Sequence, residues 1–234
     1  MNDWKMIFRD GNVIAVDKPA GMLVIPGRGP EREPSLVELL EEHLGVRPFV
    51  VHRIDRETSG LVLFALDAST HRRLNLAFER RLVHKSYLAW VDGVMEGAGE
   101  IDQPLREFGS GRVAVDERGK PSRTKYRVLA HVAEGSKSPC PRPDPHEVLS
   151  SMPGTTLLEV HPVTGRRHQI RVHLYALGHP VLGDTRYGNP RPVGGAPRLM
   201  LHAWKLELAD GAGLLLPNLM AEPPEGFPLP TLVP

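Results

Sequence analysis

A dense run of ionisable and hydroxyl side chains, residues 52–60, lies between two apolar segments. The flanking segments, residues 49–51 and 61–65, are short, rich in β-branched and aromatic residues and bounded by breakers, which predicts a buried strand on each side. The 52–60 loop between them would then combine a fixed backbone with accessible side chains, a common arrangement for catalytic groups. Asp55 is the acid in mid-loop, although most loop aspartates only cap a turn.

A loop carboxylate that does chemistry needs a partner to keep it ionised and oriented, and Arg171 is the predicted partner. In a predicted helix over residues 168–177, Ile170, Leu174 and Leu177 recur at i, i+4 and i+7 and mark one apolar face. Arg171 falls on the other side and is expected to reach into a cleft. An arginine fork favours the ionised form of a buried carboxylate. The alternative is an ordinary solvent-facing helix arginine.

The 52–60 loop, HRIDRETSG, resembles the signature loop of the RluA-type pseudouridine synthases, usually written H-R-L-D-x-x-T-S-G. Ile54 replaces the usual leucine, which conserves volume. The resemblance continues in order along the chain through Asp17–Gly21, Lys85–Ala89, Gly165–Leu174, Gly178–Asp184 and Leu201–Ala203. An ordered set of matches is far more specific than one Asp-containing loop.

The resemblance implies an enzyme that detaches uracil from its ribose, turns the base and rejoins it through carbon 5. Asp55 would be the catalytic carboxylate, and attack on the sugar and proton abstraction from it both remain open. Tyr87 would lie against the target base and handle its proton. Without the resemblance, a half-buried strand tyrosine is an equally good interpretation of Tyr87. Arg171 would complete the catalytic set.

The resemblance also implies substrate-binding residues. Arg53 matches the arginine that takes the place of the flipped base, since a stacked uridine must leave the helix to react. Leu201 would line the uracil pocket, although plain core packing explains it as well. Ile170, Arg166 and Arg167 belong to the matched segment and are expected to contact substrate. Basic residues at the rim would hold RNA phosphates.

A helix predicted after Ser69, its expected N-cap, turns Leu74, Ala77 and Phe78 to the core. Its other side carries four arginines, at positions 72, 73, 80 and 81. A solvated surface is the usual explanation of such a charged face. The implied RNA substrate favours a surface that contacts phosphates.

Composition sets broad limits. The 234 residues include 41% hydrophobic and 24% charged residues, ordinary for a globular protein, and the formal net charge of +1 does not by itself indicate a nucleic-acid partner. Cys140 is the only cysteine, which suits a reducing compartment. The residues after Met1 lack a signal-peptide hydrophobic region, and no apolar run approaches the roughly 20 residues of a membrane helix. We therefore expect a cytoplasmic protein. A monomer is expected as well.

Neither a metal nor a cofactor is expected. There is no H-E-x-x-H among the eleven histidines, and His168 and His173, five residues apart, do not converge on a helix. The sequence also contains no G-x-x-x-x-G-K-[ST] and no G-x-G-x-x-G, the motifs that bind nucleotide phosphates.

The predicted fold class is α+β, with a largely antiparallel sheet and flanking helices, as the resemblance implies and the strand-rich pattern permits. An Asp10–Asn12 hairpin turn, extended structure at 22–25, a helix capped by Ser35 and Glu38, and a strand pair of 122–129 with 155–163 are expected. One catalytic domain would span 1–234, with Pro-rich 134–154 as a surface insertion and 217–234 as an irregular tail.

The predicted function is an RNA pseudouridine synthase acting on stem-loops of ribosomal or transfer RNA. The start of the matches within the first dozen residues predicts a short form, without an RNA-binding domain ahead of them. One alternative is a catalytically silent RNA-binding or ribosome-assembly factor on the same fold. Another is a glycosidic-bond hydrolase that uses Asp55 and the rival loop acid, Glu57, which is otherwise a surface residue.

Overall fold

The computed structural model describes residues 4–27, 33–132, 154–188 and 196–229. They fall into two compact units. The first lies within Met1–Ser86 and Ala203–Glu222, and the second within Tyr87–His202 and Pro223–Pro234. Each unit is described by itself below.

Three helices and twelve strands are found in the described parts of the chain. The helices are α1 (Leu36–Leu44), α2 (Ala68–Glu79) and α3 (Gln169–Ala176). The strands are β1 (Lys5–Arg9), β2 (Val13–Lys18), β3 (Phe49–Val50), β4 (Ser59–Ala65), β5 (Val83–Asp92), β6 (Ala98–Asp102), β7 (Leu105–Glu107), β8 (Val113–Val115), β9 (Arg123–Val132), β10 (Thr155–Pro162), β11 (Leu201–Leu208) and β12 (Leu219–Met220).

In the first unit, β2 pairs antiparallel with β1 on one side and with β4 on the other, and the short β3 also pairs with β4. Both strands contain a continuous apolar and buried run, Val13–Val16 in β2 and Leu61–Ala65 in β4, as expected of strands covered on both faces. α2 packs against β4 through Leu74 and Ala77, which join Leu61 and Leu63 in the core. The 52–60 loop connects β3 to this central strand.

In the second unit, β10 lies between β5 and β9, and β9 pairs in turn with β6, all antiparallel. α3 lies C-terminal to β10. Val172 on α3 joins Leu105, Val113 and Tyr187 in a small core cluster beside the β7–β8 hairpin.

The fold-class prediction is confirmed: the sheet is mainly antiparallel and the described chain adds helices to it. The hairpin at Asp10–Asn12 joins β1 to β2, and the predicted partner strands are β9 and β10. Ser35 and Glu38 form the expected capping box, and Gly45 ends α1 with φ 72°. A single domain over residues 1–234 stays a prediction.

Two local predictions in the first unit are wrong. α2 begins one residue after Asp67, whose side chain accepts the N–H groups of Ser69 and Thr70, so Asp67 is the N-cap and Ser69 lies in the first turn. Residues 22–25 form no strand, because the carbonyls of Leu23 and Val24 accept the first N–H groups of α1 instead.

The predicted helix around Arg171 exists, but its faces differ from the prediction. All residues from Gln169 to Leu174 are buried, whereas Leu177, expected on the core face, is 43% exposed. The first turns of the helix are therefore buried on all sides, whereas the prediction had only one apolar face packed against the core. The expected irregular tail also contains β12, which pairs with β11. Nearly all of the expected Pro-rich insertion lies outside the described residues.

Candidate active site

Asp55 occupies a tight turn in the 52–60 loop, directly ahead of β4. Its backbone carbonyl accepts the N–H of Thr58 at 3.2 Å, and Thr58 and Ser59 are buried while Asp55 is half-buried. The backbone beneath Asp55 is thus held by the turn and by the central strand that follows it. Its carboxylate remains partly accessible.

His52 anchors the start of this loop. Its Nε2 accepts the backbone N–H of Leu63 at 2.9 Å, and its ring stacks on Phe78 of α2 with 5.0 Å between centroids. Burial, and secondarily the positive charge of Lys85, lower the pKa of His52 to about 3. The imidazole is therefore neutral, and because Nε2 accepts, its proton is on Nδ1.

Lys18 anchors the loop after Asp55. Its buried ammonium donates to the carbonyls of Pro19 and Met22, each at 2.8 Å, and of Arg56 at 3.1 Å. The carbonyl of Arg56 also accepts from Gly21 N–H at 2.8 Å, and Arg56 Nε donates back to Gly21 O at 2.7 Å. The matched segment Asp17–Gly21 thus clamps the residue that follows Asp55.

Arg171 is buried and forms a two-bond ion pair with Asp184. Its Nε donates to Asp184 Oδ2 at 2.7 Å and its Nη2 to Oδ1 at 2.8 Å, with side-chain exposures of 3% and 0%. Asp184 Oδ1 also accepts the backbone N–H groups of Arg186 and Tyr187. A buried guanidinium held in this way has one orientation.

The pKa of Asp184 reflects opposing effects. Burial alone raises it, but the hydrogen bond and charge of Arg171 and the two backbone N–H groups outweigh burial, so the pKa lies below its usual value. Asp184 is therefore ionised and compensates the charge of Arg171.

Tyr187 extends this network. Its ring lies beneath the guanidinium of Arg171, 5.4 Å from centroid to Cζ, and its hydroxyl accepts Val113 N–H at 3.1 Å. The same hydroxyl lies 2.8 Å from Nδ1 of His168, the N-cap of α3. His168 has φ 52°, a left-handed conformation that is uncommon outside glycine, so this cap is held by its contacts.

The other predicted site residues differ in exposure. Tyr87 on β5 is half-buried and lies opposite Val160 of β10, whereas Ile170 and Leu201 are buried. Arg53 is exposed.

Arg166 and Arg167 are also exposed, just ahead of α3. Arg166 Nε donates to Pro121 O at 3.4 Å, a long contact. Arg167 forms an ion pair with Glu107, so any contact of Arg167 with substrate must compete with that carboxylate.

Asp55 and Arg53 belong to the first unit, and the other predicted site residues, including Tyr87 and Arg171, belong to the second. The expected pairing of Asp55 with Arg171 therefore stays a prediction. Within the second unit, the structure adds the partner of Arg171 that the sequence did not reveal, Asp184.

Lys18 and Asp184 were missed as individual residues, although both lie in segments that carry the family resemblance. Their partners are 38 and 13 residues away in the chain, at Arg56 and Arg171, and only the fold brings them together. Their presence in the matched segments was the available signal.

Among the described residues, no group of three or more His, Cys, Asp or Glu side chains is placed to hold a metal ion. In the same residues, no helix has the length and apolar character needed to cross a membrane.

The sequence is similar to those of known RNA pseudouridine synthases. The family profile described as RNA pseudouridylate synthase matches residues 12–176. The dual-specificity RNA pseudouridine synthase RluA of Vibrio vulnificus is 39% identical over 206 residues, which cover 86% of this chain and 76% of that protein. The RluA protein of Escherichia coli is 34% identical over 211 residues, covering 88% and 87%.

Two solved structures of human proteins with the same type of domain superimpose on this chain. The human protein RNA Pseudouridylate Synthase Domain Containing 1 is 26% identical and superimposes with a TM-score of 0.74, covering 95% of this chain and 84% of that one. Human RNA Pseudouridylate Synthase Domain Containing 4 gives a TM-score of 0.67 at 26% identity, covering 95% and 89%.

Proposed function

Since the chain belongs to the RNA pseudouridylate synthase family, we propose that it converts specific uridines of ribosomal or transfer RNA into pseudouridine with Asp55 as the catalytic carboxylate. It is an RNA pseudouridine synthase, an isomerase. The substrate class follows the names of its relatives, which include dual-specificity RluA proteins and ribosomal large subunit pseudouridine synthase D of Nitrosomonas europaea, 37% identical over 217 residues covering 87% of this chain and 57% of that protein.

The fixed backbone around Asp55 is the observation that supports this role. His52 secures the loop three residues before the acid, and Lys18 secures it at the residue after the acid. A carboxylate that must meet one atom of a flipped nucleotide needs such preorganisation, because small displacements of reacting groups are costly in rate. The half-buried side chain keeps access to substrate.

The reaction requires no redox change. The bond between N1 of uracil and C1′ of ribose breaks, the base rotates, a bond forms from carbon 5 to C1′, and the proton on carbon 5 leaves while N1 gains one. Asp55 either attacks the ribose or removes a proton from it. We propose that Tyr87 lies against the base and assists transfer of the carbon 5 proton, and that Arg171 keeps Asp55 ionised.

The remaining predicted residues have binding roles in this proposal. Arg53 fills the space that the flipped uridine leaves. Leu201 and Ile170 offer apolar surface to the uracil, and Arg166 and Arg167 contact phosphates. We further propose a monomer with one catalytic domain, acting in the cytoplasm on accessible stem-loops.

Replacing Asp55 tests the catalytic assignment. Asp55→Asn is expected to lower tritium release from 5-tritiated uridine, in total RNA of a strain lacking this gene, by at least about a hundredfold, since a positioned acid or base alone contributes roughly 10²–10⁴. RNA binding should change little, because the side chain keeps its shape. Glu57→Gln, at the exposed rival acid, is the matched control and should retain full activity.

Full activity of Asp55→Asn would contradict the proposal. Tight RNA binding by the wild type without any isomerised uridine would support the silent RNA-binding factor instead. Free uracil in the chromatogram would indicate a glycosidic-bond hydrolase, and loss of activity in Glu57→Gln would then implicate the second acid.

A further inference from the structure

Helix α2 presents an exposed basic surface. Arg72 and Arg73 lie in its second turn, and Arg80 and Arg81 follow its last residue. All four side chains are exposed, and within the described residues none of them makes a hydrogen bond or an ion pair. We name these four residues the α2 arginine surface.

Several other exposed arginines in the described chain pair with carboxylates, unlike the four of this surface. Examples are Arg47 with Glu41 at 3.2 Å, Arg118 with Asp116 at 3.3 Å and Arg123 with Asp102 at 2.6 Å. The segment from the start of α2 to Arg81 contains one acidic residue, Glu79, and the four arginines, and Glu79 bonds to none of them in the described structure. The four guanidinium groups therefore have no carboxylate partner among the described residues.

The surface is rigidly supported. Leu74 and Ala77 bury the opposite face of α2 against β4. His71 stacks on Phe49 at 5.2 Å, and its Nε2 lies 3.2 Å from the carbonyl oxygen of Val50, so α2 is also held to β3. Because α2 is held in place by these contacts, the backbone of the α2 arginine surface loses little conformational entropy when it binds a partner.

The C-terminal end of α2 lies beside the 52–60 loop. Phe78 in the last turn of the helix stacks on His52 at 5.0 Å. Arg53, next to His52, is exposed and also has no bond to another side chain in the described residues. Arg80 and Arg81 thus follow directly from the turn that contacts the candidate catalytic loop.

The backbone of Arg81 supports a role for this side chain. The bonds from Arg81 N–H to Phe78 O and from Leu82 N–H to Ala77 O form the helix-ending motif in which the residue at this position is usually glycine. Arg81 adopts φ 60°, which costs an L-residue with a side chain roughly 1 kcal/mol. A long cation is present where glycine would be less strained, which suggests that the guanidinium is used.

We propose that the α2 arginine surface binds the phosphates of the RNA on one side of the target nucleotide. Exposed guanidinium groups suit this task because they bind phosphate oxygens through two parallel hydrogen bonds. The occupant is the RNA backbone, read without regard to sequence. This inference rests on the proposed function, since it places phosphate contacts beside the loop that carries Asp55.

The test compares two double variants, Arg72→Gln with Arg73→Gln and Arg80→Gln with Arg81→Gln. A third, Arg47→Gln with Arg118→Gln, removes the same charge from arginines that already pair with carboxylates and is the matched control. Dissociation constants for a fluorescently labelled RNA stem-loop are measured over a series of salt concentrations. Kinetics are measured on total RNA from a strain lacking the gene, and melting temperatures check folding.

Each α2 double variant is expected to lower the slope of log Kd against log salt concentration by roughly 1 to 2, because each lost phosphate contact removes just under one released counterion. KM should rise roughly three- to tenfold at physiological salt with little change in kcat, since phosphate contacts contribute binding rather than chemistry. The control should match the wild type.

Slopes and KM values of both α2 double variants equal to those of the control would overturn the inference, as would a fall in kcat at unchanged KM. The binding measurement also separates this inference from the proposed function. A wild-type protein that forms no pseudouridine would end the proposed function, while its salt slope against those of the variants would still decide whether the α2 arginine surface contacts RNA.

Discussion

Asp184 binds the buried guanidinium of Arg171 through two parallel hydrogen bonds, and both side chains are almost completely shielded from solvent. Together with the ring of Tyr187 beneath it, this leaves the guanidinium a single orientation. If Arg171 holds a catalytic carboxylate, Asp184 is the positioning residue that aims it. Such second partners commonly decide whether a charged group is placed accurately.

Replacing Asp184 by asparagine tests this role. The variant keeps the shape but leaves a buried guanidinium without its counter-charge, which is expected to cost about 3–5 kcal/mol of unfolding free energy. In whatever fraction folds, kcat should fall and the acidic limb of the pH–rate profile should shift. Urea titration and pH-dependent single-turnover rates measure the two effects.

Asp102→Asn is the matched control for this variant. Asp102 also accepts two N–H groups of an arginine, Arg123, at 3.1 and 2.6 Å, but that pair is about half-exposed. Exposed pairs contribute at most about 1 kcal/mol, so Asp102→Asn should remain near the wild type. An Asp184→Asn protein as stable as that control, with an unchanged pH profile, would contradict the positioning role.

The sequence predicted Asp55 and Arg171 as members of the candidate site, but it did not reveal the bonds that hold them. Asp55 was found because an acid lay in a polar loop between two apolar strands. The helical periodicity predicted that Arg171 faces either solvent or a cleft. In the structure Arg171 is instead buried in an ion pair with Asp184. Periodicity reports which faces are apolar, and it does not report a buried ion pair on a face that is polar in composition.

At the scale of the elements, the close approach of β4 to β11 depends on Gly60, the second residue of β4. Gly60 has φ 110°, and a Cβ added there would overlap the carbonyl oxygen of Ala203 and lie 2.7 Å from its nitrogen. Backbone cannot move aside as a flexible side chain can. Glycine is therefore required here for both its conformation and its lack of a side chain.

Gly60→Ala is expected to lower the unfolding free energy by at least about 3 kcal/mol, since strain at a forbidden φ adds to a backbone overlap. Gly11→Ala is the control, because an added Cβ at Gly11 meets nothing within 4 Å. Thermal and urea unfolding of the two variants provide the measurement. A melting temperature of Gly60→Ala equal to that of Gly11→Ala would refute the argument.

Elements were predicted best where their signals were local. The capping box of Ser35 and Glu38 and the Asp10–Asn12 turn each need a few neighbouring residues, and both are present. The segment 22–25 failed because its carbonyls bond to α1 and to Lys18 rather than to a strand. The fold decides which partner such a backbone group bonds to, and the pattern of apolar residues in the sequence does not reveal it.

At the scale of the whole chain, a formal net charge of +1 gives no long-range attraction to RNA. Recognition must then depend on where charges lie. Many carboxylates of the described residues pair with arginines, whereas Arg53 and the α2 arginine surface have no carboxylate partner among the described residues. A local excess of positive charge can bind RNA even though the net charge of the whole chain is close to zero.

The stability of the chain should depend on pH through His52. Its pKa is about 3 in the folded protein but 6.5 in an unfolded chain, so the unfolded state takes up a proton as the pH falls below about 6.5 while the folded state does not. The contribution of His52 to stability is therefore fully present above that pH and is lost progressively toward pH 3. The loss approaches about 1.4 kcal/mol per pH unit for one group, reduced by any residual solvation of the ring.

Lys85 affects the stability of the chain at alkaline pH. Burial lowers its pKa from 10.5 to about 8, so the unfolded state holds more protons between these values and stability should rise as the pH increases from 8 to 10.5. Its charge also opposes protonation of His52. Lys85→Met should therefore raise the pKa of His52 and reduce the acid sensitivity.

His52→Gln isolates the histidine, because glutamine keeps an acceptor for Leu63 N–H but does not titrate. Between pH 7 and 5 the wild type should lose roughly 1–2 kcal/mol more unfolding free energy than this variant, whatever its carboxylates contribute in common. His84→Gln, the same change at an exposed ring, should follow the wild type. Urea titrations at closely spaced pH values measure the difference. Parallel pH curves for the wild type and His52→Gln would show that the ring is solvated and that a neutral imidazole does not anchor the 52–60 loop.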